Sequence, residues 1–439
     1  MHGHSIIKAV AIAGTVALAT TACLSSNTKA SDNGGAATAK KTVEIMFGFG
    51  NDQTQGFKNS LTPWATSQGI TIKYSQSASF DTEIQTRVAG GGAPDIAAFP
   101  QPGILKGMAK KNKLEVLDTA VDLTKVKASY LPGFLEAGTV DGKVYGVPVG
   151  MNVKSLYWYD KANFAKAGYT VPKTHADLLK LIDKIKADGK TPLCVGMESG
   201  AATGWPGTDW IEDYVLQVAS PADYDAWVAG TLKFSDPKIK AAFDIYDKMV
   251  LTEGNVYGKR KSIVSTAFGT ALNPMFKANP GCYLGKQGNF ITQKDFFPAD
   301  VFKNLDKRVG VFVTPPVKAG SQPVLGGGDM VAMFTKNDTN VTKVMKYLAE
   351  DPTFGGPWAK TGGFLSPHKD FDPSNYPNQT LRDIAAIAGK ATVFRFDGSD
   401  QMPGKVGSGS FWKGMVAWTA DKQDEVETLK KIDDSWPSS

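Results

Sequence analysis

Between residues 41 and 100 the chain switches repeatedly between two incompatible periods. In KTVEIMFGFG (41–50), Val43, Ile45 and Phe47 recur at every second residue, the spacing of a strand with one buried face. Residues 54–67 follow with a helix-like pattern bent at Pro63, and GITIKYSQ (69–76) returns to period two. DTEIQTRVAGGGAPDIAAFP (81–100) then supplies a second helix, a glycine-rich stop and a short apolar run. Strand, helix, strand, helix, strand predicts an α/β fold with parallel strands, because strands joined through a helix lie side by side in the same direction.

The run VYGVPVGMNVKSLYWYD (144–160) is β-prone throughout, yet it is interrupted by Pro148 and Gly150 and is too long for one regular strand. It predicts backbone crossing from one domain to another. A capped helix follows, with Thr174 as the cap, Asp177 three residues on, and Leu178, Leu181, Ile182 and Ile185 on one face. SDPKIKAAFDIYDKMV (235–250) is a second capped helix, RVGVFVTPP (308–316) a second β-run ending in prolines, and TNVTKVMKYLAED (339–351) a further helix before Gly355, Gly356 and Pro357. Three crossings are expected, near 150, 313 and 354, and no internal repeat is visible.

The N-terminus is set apart. Lys8 precedes the apolar run 9–22, which is shorter than the ~20 residues a membrane span needs. It reads as an export signal. Its end, TTACLSSN (20–27), resembles the lipobox of bacterial lipoproteins, which implies a signal peptide 1–22 and a lipid on Cys23. Residues 23–41 are rich in Ser, Ala, Gly, Asn and Lys without apolar period, and are expected to be a flexible linker.

The remaining two cysteines, Cys194 and Cys282, are expected to form a disulfide, as a pair in an exported protein does. Of four histidines only His175 and His368 lie beyond the signal, which argues against a histidine-based metal centre. A carboxylate calcium site stays open. The net charge of +6 is spread along the chain, and the short runs KKNK (110–113) and KRK (259–261) read as solvated surface rather than a nucleic-acid patch.

GGGAPDIAAF, YGVPVGMNVKSLYWYDKANFAKAG, VPKTHADLL, GGGDMVAMF and FRFDGSDQMPGKVGSGSFWKGM resemble the family 1 extracellular solute-binding proteins of ABC importers, which bind carbohydrates. ESGAATGWPGTDWIED and KQGNF look like the α-glucoside and α-galactoside oligosaccharide branch. The resemblance implies a two-lobe, periplasmic-binding-protein-like fold of type II with three interlobe crossings and a ligand cleft between the lobes. The N-terminal lobe is expected from 42–151 and 310–353, and the C-terminal lobe from 152–309 and 354–439. It also implies a lipid-anchored monomer on the outer face of a bacterial cell membrane, partnered by permease subunits, with no cofactor, no metal and no nucleic acid.

A sugar offers apolar faces to aromatic rings and hydroxyls to planar polar side chains. The candidates are polar or aromatic residues in loops after strands. Asp329 follows three glycines, and Asn152 lies just past the first crossing. Gln101 follows the DIAAF run. Gln287, Asn289 and Phe290 follow the Cys282 strand. Trp205 and Trp210 flank one turn, with one facing the cleft and the other packed. Phe396 and Asp397 stand as a ring beside a carboxylate, Arg395 binds sugar or holds Asp397, and Trp412 opens a helix as a platform ring.

The rival reading is a glycoside hydrolase or another exported carbohydrate-active lipoprotein. Asp397 and Asp400 would be its carboxylate pair, but two acids in one DGSD turn more often cap a helix than flank a scissile bond. GSGS (407–410) does not match the nucleophile pattern of a serine hydrolase. The expectation is therefore a binder and not an enzyme.

Overall fold

The computed structural model describes residues 39–131 and 133–437; the expected signal, Cys23 and most of the expected linker lie outside the described residues. Strands Thr42–Phe47, Thr71–Gln76 and Ile96–Phe99 are joined by helices Asn51–Ser67 and Phe80–Ala89. All three strands are parallel, with Ile45 opposite Tyr74 on one side and Ile96 on the other. Val43, Ile45 and Phe47 are buried, as their alternation requires. Each such side chain contributes about 1.5–3 kcal/mol of burial. Pro63 sits inside one continuous helix.

Strand Met330–Met333 joins this sheet antiparallel to Ile96–Phe99, and Gly146–Pro148 pairs antiparallel with Met330–Met333 at its edge. The other lobe holds a four-stranded sheet in the order 309–313, 156–160, 284–286, 193–194, and a three-stranded sheet in the order 393–396, 323–327, 152–153. The run 144–160 thus divides among all three sheets: Gly146–Pro148, Asn152–Val153 and Leu156–Asp160 each join a different one.

The two later crossings lie further along the chain than their local composition suggests. Val309–Val313 pairs antiparallel with Leu156–Asp160, so the chain is still in the second lobe there. It returns at 327–330, where Gly327 pairs with Asn152 and Met330 with Pro148. Gly328 has φ +153, and a Cβ there would lie 2.1 Å from the Gly150 oxygen. The first two crossings therefore touch backbone to backbone, which only glycine permits. After 354 the chain stays with the first lobe: Trp358 packs on Phe49 and Phe57, with ring centroids 5.1 and 5.7 Å apart. Met151 N donates to Leu365 O at 2.8 Å, and Tyr130 bridges His368. Helix Gln379–Lys390 then packs against the 309–313 strand, so the third crossing lies between 368 and 379.

Thr174 caps helix His175–Ala187, its Oγ1 accepting from Asp177 N at 3.1 Å. Cys194 and Cys282 are joined as a disulfide with Cα atoms 5.5 Å apart. Among the described residues, no helix is long and apolar enough to cross a membrane.

Candidate functional site

A cavity of 1580 Å³ opens between the lobes. Phe80, Asp81 and Gln101 line it from the first lobe, and Gln401, Ser408 and Trp412 from the second. At one edge the lobes meet directly. A Cβ on Gly103 would lie 2.0 Å from Met402 O, and Lys106 Nζ donates to Gln401 Oε1 at 3.3 Å.

Gln101 caps the helix Pro102–Lys110 at the end of the Ile96–Phe99 strand. Its amide nitrogen, turned toward Asp81, donates to both carboxylate oxygens at 2.6 and 3.1 Å. Burial pushes the Asp81 carboxyl up to about 6, with no cation to offset it. Asp81 was not among the expected site residues. An acid in the first turn of a helix is so commonly a partner of the helix dipole that its type carries little signal. Its position, at the start of the helix that follows a parallel strand, is where a ligand contact belongs.

Trp412 lines the cavity while largely buried, its Nε1 donating to Ser399 Oγ at 3.2 Å. Trp205 is half-buried and donates from Nε1 to Ser199 Oγ at 3.0 Å. Its ring meets Phe268 and Phe290 edge-on, at 4.8 and 5.6 Å, and Lys154 Nζ lies 5.3 Å from its centroid. Trp210 is the packed member of the pair, buried against Tyr157. Phe290 is mostly buried in this aromatic cluster. Gln287 is buried, and its Oε1 has no hydrogen-bond partner among the described residues.

Asp329 and Asn152 flank the crossings. Asp329 lies in the turn between the 323–327 and 330–333 strands; Val149 N donates to its main-chain oxygen at 2.9 Å. Its half-buried carboxylate meets no donor among the described residues, and burial pushes it up to about 7. Asn152 is half-buried in its short strand opposite Gly327.

The fold uses the remaining candidates for itself. Asn289 is fully buried: its Oδ1 accepts from Val153 N and its Nδ2 donates to Gly363 O, both at 2.7 Å. Phe396 is core, packed edge-on to Phe134. Asp397 is buried, caps helix Gly398–Gln401 through Asp400 N, and accepts from Lys154 Nζ at 2.6 Å. Arg395 grips Asp225, at 2.7 and 2.9 Å, rather than Asp397.

Lys154 is the centre of a buried charge network. Its Nζ lies 3.0 Å from Asp209, 2.6 Å from Asp397 and 3.9 Å from Asp400. Burial alone would discharge it; the charges of Asp209, Asp397 and Asp400 outweigh that and hold the ammonium charged. Glu212 accepts from Gly398 N and Ser399 N, and burial, followed by the charge of Asp397, pushes its carboxyl well up. Asp209, Glu212 and Asp397 bring oxygens within 4.8 Å of one another, as a cation site would. Here the Lys154 ammonium supplies the positive charge. The cavity itself offers rings, amides, hydroxyls and carboxylates.

The family described as bacterial extracellular solute-binding protein matches residues 50–353. The osmoprotective compounds-binding protein GgtB of Synechocystis sp. is 40% identical over 91% of this chain and 93% of its own. The alpha-glucosides-binding periplasmic protein AglE of Rhizobium meliloti is 35% identical over 91% of this chain and 87% of its own. Among solved structures, a chitin oligosaccharide binding protein superposes with a TM-score of 0.73 at 17% identity, over 90% of this chain and 97% of that one. RafE in complex with raffinose gives 0.67 at 18% identity, over 90% and 98%. At these identities the structures speak to the two-lobe fold.

Proposed function

The chain belongs to the bacterial extracellular solute-binding proteins, and from that premise we propose that it captures a small α-glucoside or related oligosaccharide for an ABC importer. The observation that carries this is the interlobe cavity, with Trp412 on one side and Asp81 and Gln101 on the other. A sugar seated there touches both lobes, so its binding energy favours the closed arrangement over the open one. The name of one relative, which binds alpha-glucosides, supports an α-glucoside as the ligand. Raffinose-type α-galactosides are the second ligand class, supported by the resemblance of the Trp205–Trp210 segment. A lipid on Cys23, a position on the extracellular face of the cell membrane and a monomeric state complete the reading.

A thermal-shift screen over maltose, isomaltose, panose, trehalose, sucrose, raffinose and melibiose tests it. Ligand at ~100 times its dissociation constant stabilises by about 2.7 kcal/mol. No shift with any sugar would sink the proposal. Product formed from the same sugars would favour a hydrolase instead, although Asp397, one of that reading's two carboxylates, is already paired with Lys154.

A further inference from the structure

Two side chains of the buried network are both acceptors when ionised, yet they hydrogen-bond to each other. Glu212 on helix Trp205–Val218 meets Asp397, the residue before helix Gly398–Gln401, and both are buried. Two carboxyl groups make that bond only when one of them keeps a proton. Asp397 has the better hold on the charge. Its Oδ2 accepts from Lys154 Nζ, and its Oδ1 accepts from Asp400 N and Ser399 Oγ. Burial alone would raise Asp397, but the charge of Lys154 outweighs that and holds it below the usual carboxylate range. Glu212 accepts from Gly398 N and Ser399 N, at 3.0 and 3.1 Å, and has no ion pair among the described residues. The proton therefore sits on Glu212.

The charged groups around the pair leave Glu212 without a cation. Lys286 is taken by Asp213 at 3.1 Å, and Asp213 also accepts from Ser155 and Thr314. Lys154 faces Asp209, Asp397 and Asp400 at once, and burial pushes Asp209 up to about 7. On helix Pro221–Val228, the Tyr224 hydroxyl donates to Phe396 O, and Asp225 is held by Arg395. On helix Pro237–Tyr246, Lys240 is taken by Asp244 and Glu425. Lys405 and Lys413 are exposed. From the first lobe, Asp81 adds its charge to that felt by Asp400, and Lys106 reaches Gln401.

The turn that these two acids hold is the second lobe's edge against the first. Met402 O lies against Gly103, Gln401 accepts from Lys106, and Ser399 Oγ accepts from the cavity-lining Trp412. We infer that the proton shared by Glu212 and Asp397 is a latch: while it is present, the 397–402 turn is bonded to helix Trp205–Val218 and set for the interlobe contact, and its loss puts two like charges side by side in the interior and loosens that contact. Neither acid lines the cavity. Burial, then the charge of Asp397, raises Glu212 well above its usual 4.5, so the folded state holds the proton more tightly than the unfolded chain. The stability that the latch gives is fully present below pH 4.5 and is lost as the pH climbs through the raised value. Closure, and with it ligand capture, weakens in the same direction.

Carboxyl 13C NMR on the mature full-length chain, labelled at its glutamate side-chain carboxyls, reads the proton directly. One glutamate should remain protonated at pH 7 and release its proton by pH 9, and Glu212→Gln should remove that resonance. The glutamine amide donates to Asp397 at every pH, so this variant keeps the latch shut. Its urea midpoint should equal that of wild type at pH 6 and exceed it at pH 9. Calorimetry with the tightest neutral sugar from the screen, an arm that rests on the sugar-binding reading, should give equal affinities at pH 6. At pH 9 wild type should bind about tenfold more weakly than the variant. Asp81, Lys106, Asp209 and Asp329 titrate in both proteins, so only the difference between them counts. A fixed difference at both pH values is what a purely structural role would give, and it would overturn the latch, as would the absence of a protonated glutamate at pH 7. If Glu212→Gln fails to fold, the wild-type carboxyl titration decides alone. Absence of any sugar binding would overturn the sugar reading and leave the latch to the carboxyl and urea measurements.

Discussion

Lys154 Nζ lies 2.6 Å from Asp397 Oδ2 inside the second lobe, immediately after the first interlobe strand. The same ammonium faces Asp209 and Trp205, so one lysine ties the crossing to helix Trp205–Val218 and to the turn that carries Asp400. Removing it would leave several carboxylates without their cation. Lys154→Met is expected to destabilise by about 3–5 kcal/mol, the cost of breaking a buried pair from one side. Urea titration with a folded-state probe measures it; a loss below 1 kcal/mol would mean that the acids simply take up protons and the network is not a frame.

The Cys194–Cys282 bridge closes an 88-residue separation between two neighbouring strands of the four-stranded sheet. Cross-links over loops of this size stabilise by about 2–5 kcal/mol. Thermal unfolding of the Cys194→Ala, Cys282→Ala double variant should show that loss, and reductant should lower the midpoint of wild type but leave that of the variant unchanged. Two free thiols in unreduced wild type would remove the basis for it.

Asn289 is a clasp between crossings, joining Val153 N to Gly363 O. Asn289→Ala leaves a buried amide and a buried carbonyl unpaired, each costing about 1–3 kcal/mol. The variant should lose stability, and its dissociation constant should change less than Trp205→Ala changes it, since Trp205 is only half-buried. Denaturation and calorimetry on both variants check this; the reverse ordering would place Asn289 in the ligand site.

The strands and helices of 42–100 were legible because apolar spacing follows the local period, which each segment carries in itself. The crossing near 150 was legible from Pro148 and Gly150. The strand 309–313 was not placed correctly, because its residues do not encode which sheet receives it; its partner lies about 150 residues away, at 156–160. Gly355, Gly356 and Pro357 look like a linker, yet Trp358 anchors that segment to Phe49 and Phe57. Gln101 and Trp412, expected from residue type and position after a strand or at a helix start, both line the cavity. Asp397 misled because DGSD looks like an exposed turn. Its burial depends on Lys154, 243 positions earlier in the chain, and no local pattern shows that pairing.

Asp329 combines a structural cost with its expected use. Among the described residues its carboxylate meets no donor, and burial raises its pKa from the usual 3.8 to about 7. The folded state therefore holds this proton more tightly than the unfolded chain. The stability this gives is fully present below pH 3.8, falls as the pH rises toward 7, and is absent above it. Asp329→Asn removes the titration while keeping the shape. The variant should match wild type near pH 4 and exceed it at pH 8 by an amount on the order of a few kcal/mol. Its sugar affinity should fall roughly ten- to a hundredfold, because a hydroxyl donor meets an amide in place of a charge. Urea titrations at both pH values and calorimetry at pH 8 decide the matter. A variant no more stable at pH 8 would mean that the carboxylate has found a partner in the unliganded protein. Greater stability with unchanged affinity would make Gly327–Met330 a purely structural turn and move the ligand away from the crossings.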